Sequence, residues 1–90
     1  MANFATEQNA LSTASEVIAE SEGRRDRLTI LNLDTSITVY IGSATDVDST
    51  TGFPLQPGSA YTFEGHAAKA RVFAIAASGT PAVAVLQELN

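Results

Sequence analysis

Cysteine is absent from this chain, which excludes disulfide staples, thiolate zinc sites and thiol chemistry alike. Tryptophan is absent as well and histidine occurs once. A sugar-stacking surface would therefore rest on tyrosine or phenylalanine, and only Tyr40 is expected to look outward on a regular strand. Basic residues are scarce: five Lys and Arg stand against ten Asp and Glu, for a net charge of −5. Three of the five cluster at Arg24, Arg25 and Arg27, leaving Lys69 and Arg71. Such a distribution does not suit a broad phosphate-binding surface, so no nucleic-acid partner is expected. No apolar run approaches the roughly 18 residues that span a bilayer, and residues 1–15 lack the basic start and apolar stretch of a signal peptide. The expectation is a soluble protein made in a cytoplasm, with no membrane partner.

What remains reads as one β domain. Ninety residues suit a single core with a radius of gyration of roughly 12 Å. A chain of this size buries only about two-thirds of the surface it exposes when unfolded, so neighbours are expected to add stability. Residues 1–15, MANFATEQNALSTAS, are small and polar around the isolated Phe4 and Leu11 and read as an arm, either extended or helical from an Asn3 cap. Residues 16–90 read as the domain proper. Its apolar residues fall into short β-branched runs closed by Gly, Pro, Asn or Asp.

Six strands are expected, at 16–19, 27–33, 37–41, 59–64, 70–77 and 82–86. The second carries Leu28 and Ile30 on one face and Leu31 and Leu33 on the other, so it is buried on both sides or bulged. Ile37, Val39 and Ile41 restore a period of two after the turn Asp34-Thr35-Ser36, which predicts a hairpin between the second and third strands. Residues 42–58 read as an irregular loop with an ordered apolar tip at Phe53 and Leu55. The most continuously apolar run, 70–77, is expected at the centre of a sheet. Ala82 and Ala84 form a small-residue face against which something packs closely. The fold class expected is all-β, a small antiparallel β-sandwich or jelly-roll-like barrel with an N-terminal arm.

Candidate chemistry is sparse. His66 falls in an exposed connection, and no serine lies in a nucleophile turn beside it, so no catalytic residue is assigned. Asp46-Val47-Asp48-Ser49-Thr50-Thr51-Gly52 opens like a calcium loop, but the glycine and glutamate that such a loop needs are replaced by Thr51 and Pro57. Turn capping by Asp46 and Asp48 is the favoured reading, and neither a metal nor a cofactor is expected. Arg24-Arg25-Asp26-Arg27 offers forked donors to an acidic partner, or pairs with Glu20 or Glu22. Gly52-Phe53-Pro54-Leu55-Gln56-Pro57-Gly58 sets two large apolar side chains between rigid prolines, a shape that loses little entropy on docking.

Three segments together carry a resemblance. They are Gly23-Arg24-Arg25-Asp26-Arg27-Leu28-Thr29-Ile30; Asn32 followed by Val39-Tyr40-Ile41-Gly42; and Thr51 to Gly58. With an aromatic-alanine strand from Val72 to Ala76 and a valine-rich closing strand, residues 23–89 resemble a family of small β-rich phage virion proteins. The resemblance implies a non-enzymatic structural protein of the virion, foremost a capsid decoration (cement) protein that binds the major capsid protein and stabilises the assembled head. A tail or fibre-base component is the alternative, then a module binding a host glycan or protein. The head is favoured because the chain is short, has no shaft-forming repeat and carries an arm. Phe4, Leu11, Arg24, Arg25, Phe53 and Leu55 are the residues expected to touch capsid or sister subunits. A homo-oligomer, with a trimer as first expectation, follows from the thin core and the Ala82/Ala84 face.

Overall fold

In the computed structural model, which describes residues 3–90, the short β-branched runs become eight strands. They are β1 (Asn3–Ala10), β2 (Glu16–Ala19), β3 (Arg25–Asn32), β4 (Val39–Gly42), β5 (Phe53–Leu55), β6 (Ala60–Glu64), β7 (Val72–Ala76) and β8 (Ala82–Leu89). Two four-stranded sheets result, in the orders β1-β8-β3-β6 and β2-β7-β4-β5. Every neighbouring pair is antiparallel. Consecutive strands lie in opposite sheets except β4 and β5, so the connections repeatedly bridge the sandwich. Eight strands in two such sheets make a jelly roll. The all-β, jelly-roll-like class expected from period-two patterning is the class observed.

The two inner faces supply one core. From the first sheet come Leu28, Ile30, Val83 and Val85, and from the second Val39, Ile41, Leu55, Ala74 and Ala76, all nearly inaccessible to water. Each large aliphatic side chain so buried contributes about 1.5–3 kcal/mol. β7 is hydrogen-bonded between β2 and β4, the interior position its apolar run demands.

Three expectations are corrected. First, residues 3–10 of the expected arm take the extended of the two conformations open to them but do not stand apart from the domain: they form β1, matched one to one with β8 from Asn3↔Leu89 to Ala10↔Ala82. Residues 1 and 2 of that arm lie outside the described residues. Secondly, β3 and β4 do not form a hairpin, because the chain changes sheet between them. The buried Asn32 fixes that crossing, its Nδ2 donating to the carbonyls of Ile37 and Leu55 at 2.9 Å each while its Oδ1 accepts from the Asp34 amide. The Asp34 carboxylate then accepts from the amides of Ser36 and Ile37, and these bonds hold its pKa below the ordinary value. Thirdly, the expected loop 42–58 contains β5, paired with β4 through Val39↔Leu55, Tyr40↔Pro54 and Ile41↔Phe53.

Candidate functional site

The sandwich is open along the side where β5 and β6, edge strands of opposite sheets, run past one another. Phe53 shares its face of β5 with the buried Leu55, and Tyr61 and Phe63 lie opposite Ile30 and Leu28 of β3. All three aromatics therefore belong to inner faces. At the rim the sheets no longer cover one another, and these side chains pack sideways instead. The rings of Phe53 and Tyr61 are 5.2 Å apart and tilted, and those of Tyr61 and Phe63 are 4.8 Å apart and edge to face. Such geometries suit the ring quadrupoles. Phe53 remains 52% exposed and Tyr61 42%. The ledge borders a groove of about 330 Å³ floored by Ile41 and Val72, with Ser43 and Arg71 at its margin. Arg71 is engaged by Glu20 at 2.9 Å.

Two neighbouring segments hold the ledge in place. The turn Gln56-Pro57-Gly58-Ser59 closes with Ser59 N donating to Gln56 O at 2.9 Å, and Gly58 takes a φ of +77° there. Proline second and glycine third is the composition a type II turn requires. On the other flank, the 3-10 turn Gly65–Lys69 is pinned by Arg25. The Arg25 guanidinium donates to the carbonyls of Ala68, Ala70 and Glu20 and to Gln87 Oε1. Burial lowers the Arg25 pKa, and the nearby Glu22 partly opposes that shift.

The six residues singled out from sequence therefore divide. Phe4 (68% exposed), Arg24 and Phe53 reach solvent. Leu11, Arg25 and Leu55 are 1–2% exposed and belong to the chain's own interior, so the expected contact through them is corrected. Leu11 follows β1 into the core, Arg25 clamps carbonyls, and Leu55 lies on the inner side of β5. Nor do the accessible three converge: Phe4 is on β1 and Phe53 packs on β6, the two opposite edges of one sheet. Arg24 Nε donates to the Asn90 carbonyl at 3.0 Å, and Arg27 bridges Glu64 and Glu88 at 3.0 and 3.5 Å. Tyr61 and Phe63 were missed as site residues, although their spacing of two put both on one side of a strand.

The remaining sequence candidates resolve into local structure. His66 is exposed on the 3-10 turn. Asp48 spends its carboxylate on Thr50 and Thr51, accepting from both backbone amides at 2.8 and 2.9 Å and from the Thr50 hydroxyl at 2.7 Å. Those bonds lower its pKa to about 2. Among the described residues no three of His, Cys, Asp and Glu gather as metal ligands would.

No protein-family model matches the chain, and no curated protein matches its sequence. Solved structures do share its fold. A pilus subunit of Bacillus endospore appendages superposes with a TM-score of 0.60 at 15% identity, over 100% of this chain and 87% of that one. The stem and receptor-binding domain of spike protein P1 from bacteriophage PM2 gives a TM-score of 0.64 at 12% identity, over 86% of this chain and 30% of that one. An RmlC-like cupin protein from Desulfovibrio desulfuricans gives 0.60 at 13% identity, over 94% and 72%. At these identities the likeness is one of fold: the chain is an eight-stranded jelly roll.

Proposed function

We propose that this chain is a non-enzymatic structural subunit of a phage particle, a decoration protein that binds the major capsid protein of the assembled head. The observation that carries the reading is the ledge of Phe53, Tyr61 and Phe63, large aromatics half-open to water on a well-braced sheet rim. Exposed aromatics in a preformed groove are the kind of side chain that anchors protein interfaces, and their few rotatable bonds keep the ordering cost low. The motifs of residues 23–89 supply the phage setting by resemblance. The fold's occurrence in a pilus subunit and in a phage spike is compatible with a part in a surface assembly. Binding of this kind stabilises a shell by favouring the assembled lattice over free subunits. A homo-oligomer, trimeric as first expectation, would multiply the contact.

The test is binding of purified protein to shells assembled without it. Phe53→Ala combined with Tyr61→Ala is expected to weaken binding by roughly 30-fold, the effect of losing an anchor worth about 2 kcal/mol. Unchanged affinity of a folded double variant would remove the ledge from the contact. Copy number against the major capsid protein in whole particles then distinguishes head from tail. Hundreds of copies support decoration, and a handful would assign the chain to a tail or fibre base.

A further inference from the structure

We propose that β1 is an exchangeable strand, through which one copy of this chain fills the slot beside β8 of another. Among the described residues β1 is hydrogen-bonded as a strand to β8 alone, along its whole length. Its side chains add almost nothing to the core: seven of its eight residues are exposed and only Asn9 is half-buried. Asn9 is itself a cost, since its Nδ2 is shielded from water with no hydrogen-bond partner among the described residues. Withdrawing β1 therefore gives up backbone pairing and little apolar burial.

The opposite holds for β8. It carries Val83 and Val85, 0% and 1% exposed, and without β1 it would present one open edge eight residues long, its other edge staying paired with β3. An open edge over a hydrophobic face recruits another strand. The strand that matches it residue for residue is β1, and a second copy supplies the same one. Replacement by an identical element is the essence of domain swapping.

The hinge is also defined. Immediately after β1, Leu11 is 1% exposed, its amide donates to the Pro81 carbonyl, and the Ser12 carbonyl accepts from Ala76, each at 2.8 Å. Beyond that anchor, eight extended residues span about 26 Å at ~3.3 Å each, on the scale of the molecule's 24 Å intermediate dimension. The strand can thus cross to a neighbour while its root stays seated. The edges of the second sheet are poorer templates. β5 is three residues with Pro54 at its centre, and β2 is four residues with a register shift between Val17 and Ala19.

A chain without cysteine lets introduced thiols report pairing without background. Gln8 lies opposite Ala84 and Thr6 opposite Leu86. Full-length Gln8→Cys protein is incubated with full-length Ala84→Cys protein and oxidised, with Thr50→Cys replacing the second partner as control. The Thr6→Cys and Leu86→Cys pair serves as a second set in case the first disturbs folding. Exchange predicts a mixed disulfide dimer forming on the order of a hundredfold faster than the control, because a shared slot holds the thiols at far above bulk concentration. It also predicts that the oxidised Gln8→Cys/Ala84→Cys double variant, with β1 tied to its own β8, stays monomeric under conditions where the reduced form self-associates. Control-level linkage in both sets, or equal association of tied and untied protein, would overturn the proposal. Neither readout involves capsid, so this outcome is independent of the particle-binding test.

Discussion

Arg25 is a cation enclosed by neutral oxygens, and its role follows from that. Three carbonyls and one side-chain amide from three separate segments, at Glu20, Ala68/Ala70 and Gln87, meet on its guanidinium. Truncation would leave those acceptors buried and unpaired, so Arg25→Ala is expected to lower the unfolding free energy by about 2–4 kcal/mol, measured by urea denaturation. Arg25→Lys should recover only part of this, since an ammonium cannot reproduce the planar fork. Asp48 gives a pH-dependent counterpart. Its carboxyl falls from 3.8 to about 2 through hydrogen bonds with Thr50 and Thr51. A depressed carboxylate pKa favours the folded loop above the ordinary value, and the contribution disappears as pH drops from near 3.8 through about 2. The amide shifts of Thr50 and Thr51 should move together with a midpoint near pH 2, and in Asp48→Asn they should show no such titration.

Among the elements, the turn joining β5 to β6 makes the plainest demand on one residue. Gly58 has a φ of +77° with no atom near enough to obstruct a side chain, so the demand is conformational and not one of space. Gly58→Ala should cost about 1–2 kcal/mol by thermal or chemical denaturation and should loosen Phe53 against Tyr61. A neighbouring glycine is limited by space instead: a Cβ on Gly52 would come within 2.8 Å of the Asp48 carbonyl oxygen and 2.7 Å of Tyr40 Cβ. These elements also mark how far the sequence could be read. β2 was legible to the residue, and β4, β6 and β7 to within two, because alternating or continuous β-branched runs have little other use. β1 escaped because NFATEQNA has no apolar alternation; it is a strand through β8, not through its own composition. β5 escaped because three residues around a proline resemble a loop. Asp34-Thr35-Ser36 announces a turn, but turn chemistry does not say in which sheet the chain will continue, and Asn32 decided that. The aromatic ledge was half legible: the shared side of Tyr61 and Phe63 could be read, whereas the gap leaving them uncovered depends on how two sheets meet.

At the scale of the whole molecule, almost all order is non-local. Among the described strands only β4 and β5 pair with a neighbour in sequence, and β1 must find β8 across the length of the chain. Folding is therefore expected in the slow part of the single-domain range, on the order of milliseconds to seconds by stopped-flow fluorescence of the tyrosines. A microsecond phase carrying the full amplitude would contradict this topology. The thin core has no disulfide behind it, so the few kcal/mol that the Arg25 and Asn32 clamps add to it are a large fraction of the small net stability of such a domain. The pairing of β1 with β8 has a geometric result of another kind. Asn3 lies opposite Leu89, and Asn90 is bonded to Arg24, so the two ends of the described chain meet at one corner. A short linker could join them while new ends are opened in the exposed 43–46 turn, a rearrangement that adjacent termini commonly tolerate. Segments attached at residues 3 and 90 would leave from that same corner and so share a single exit direction.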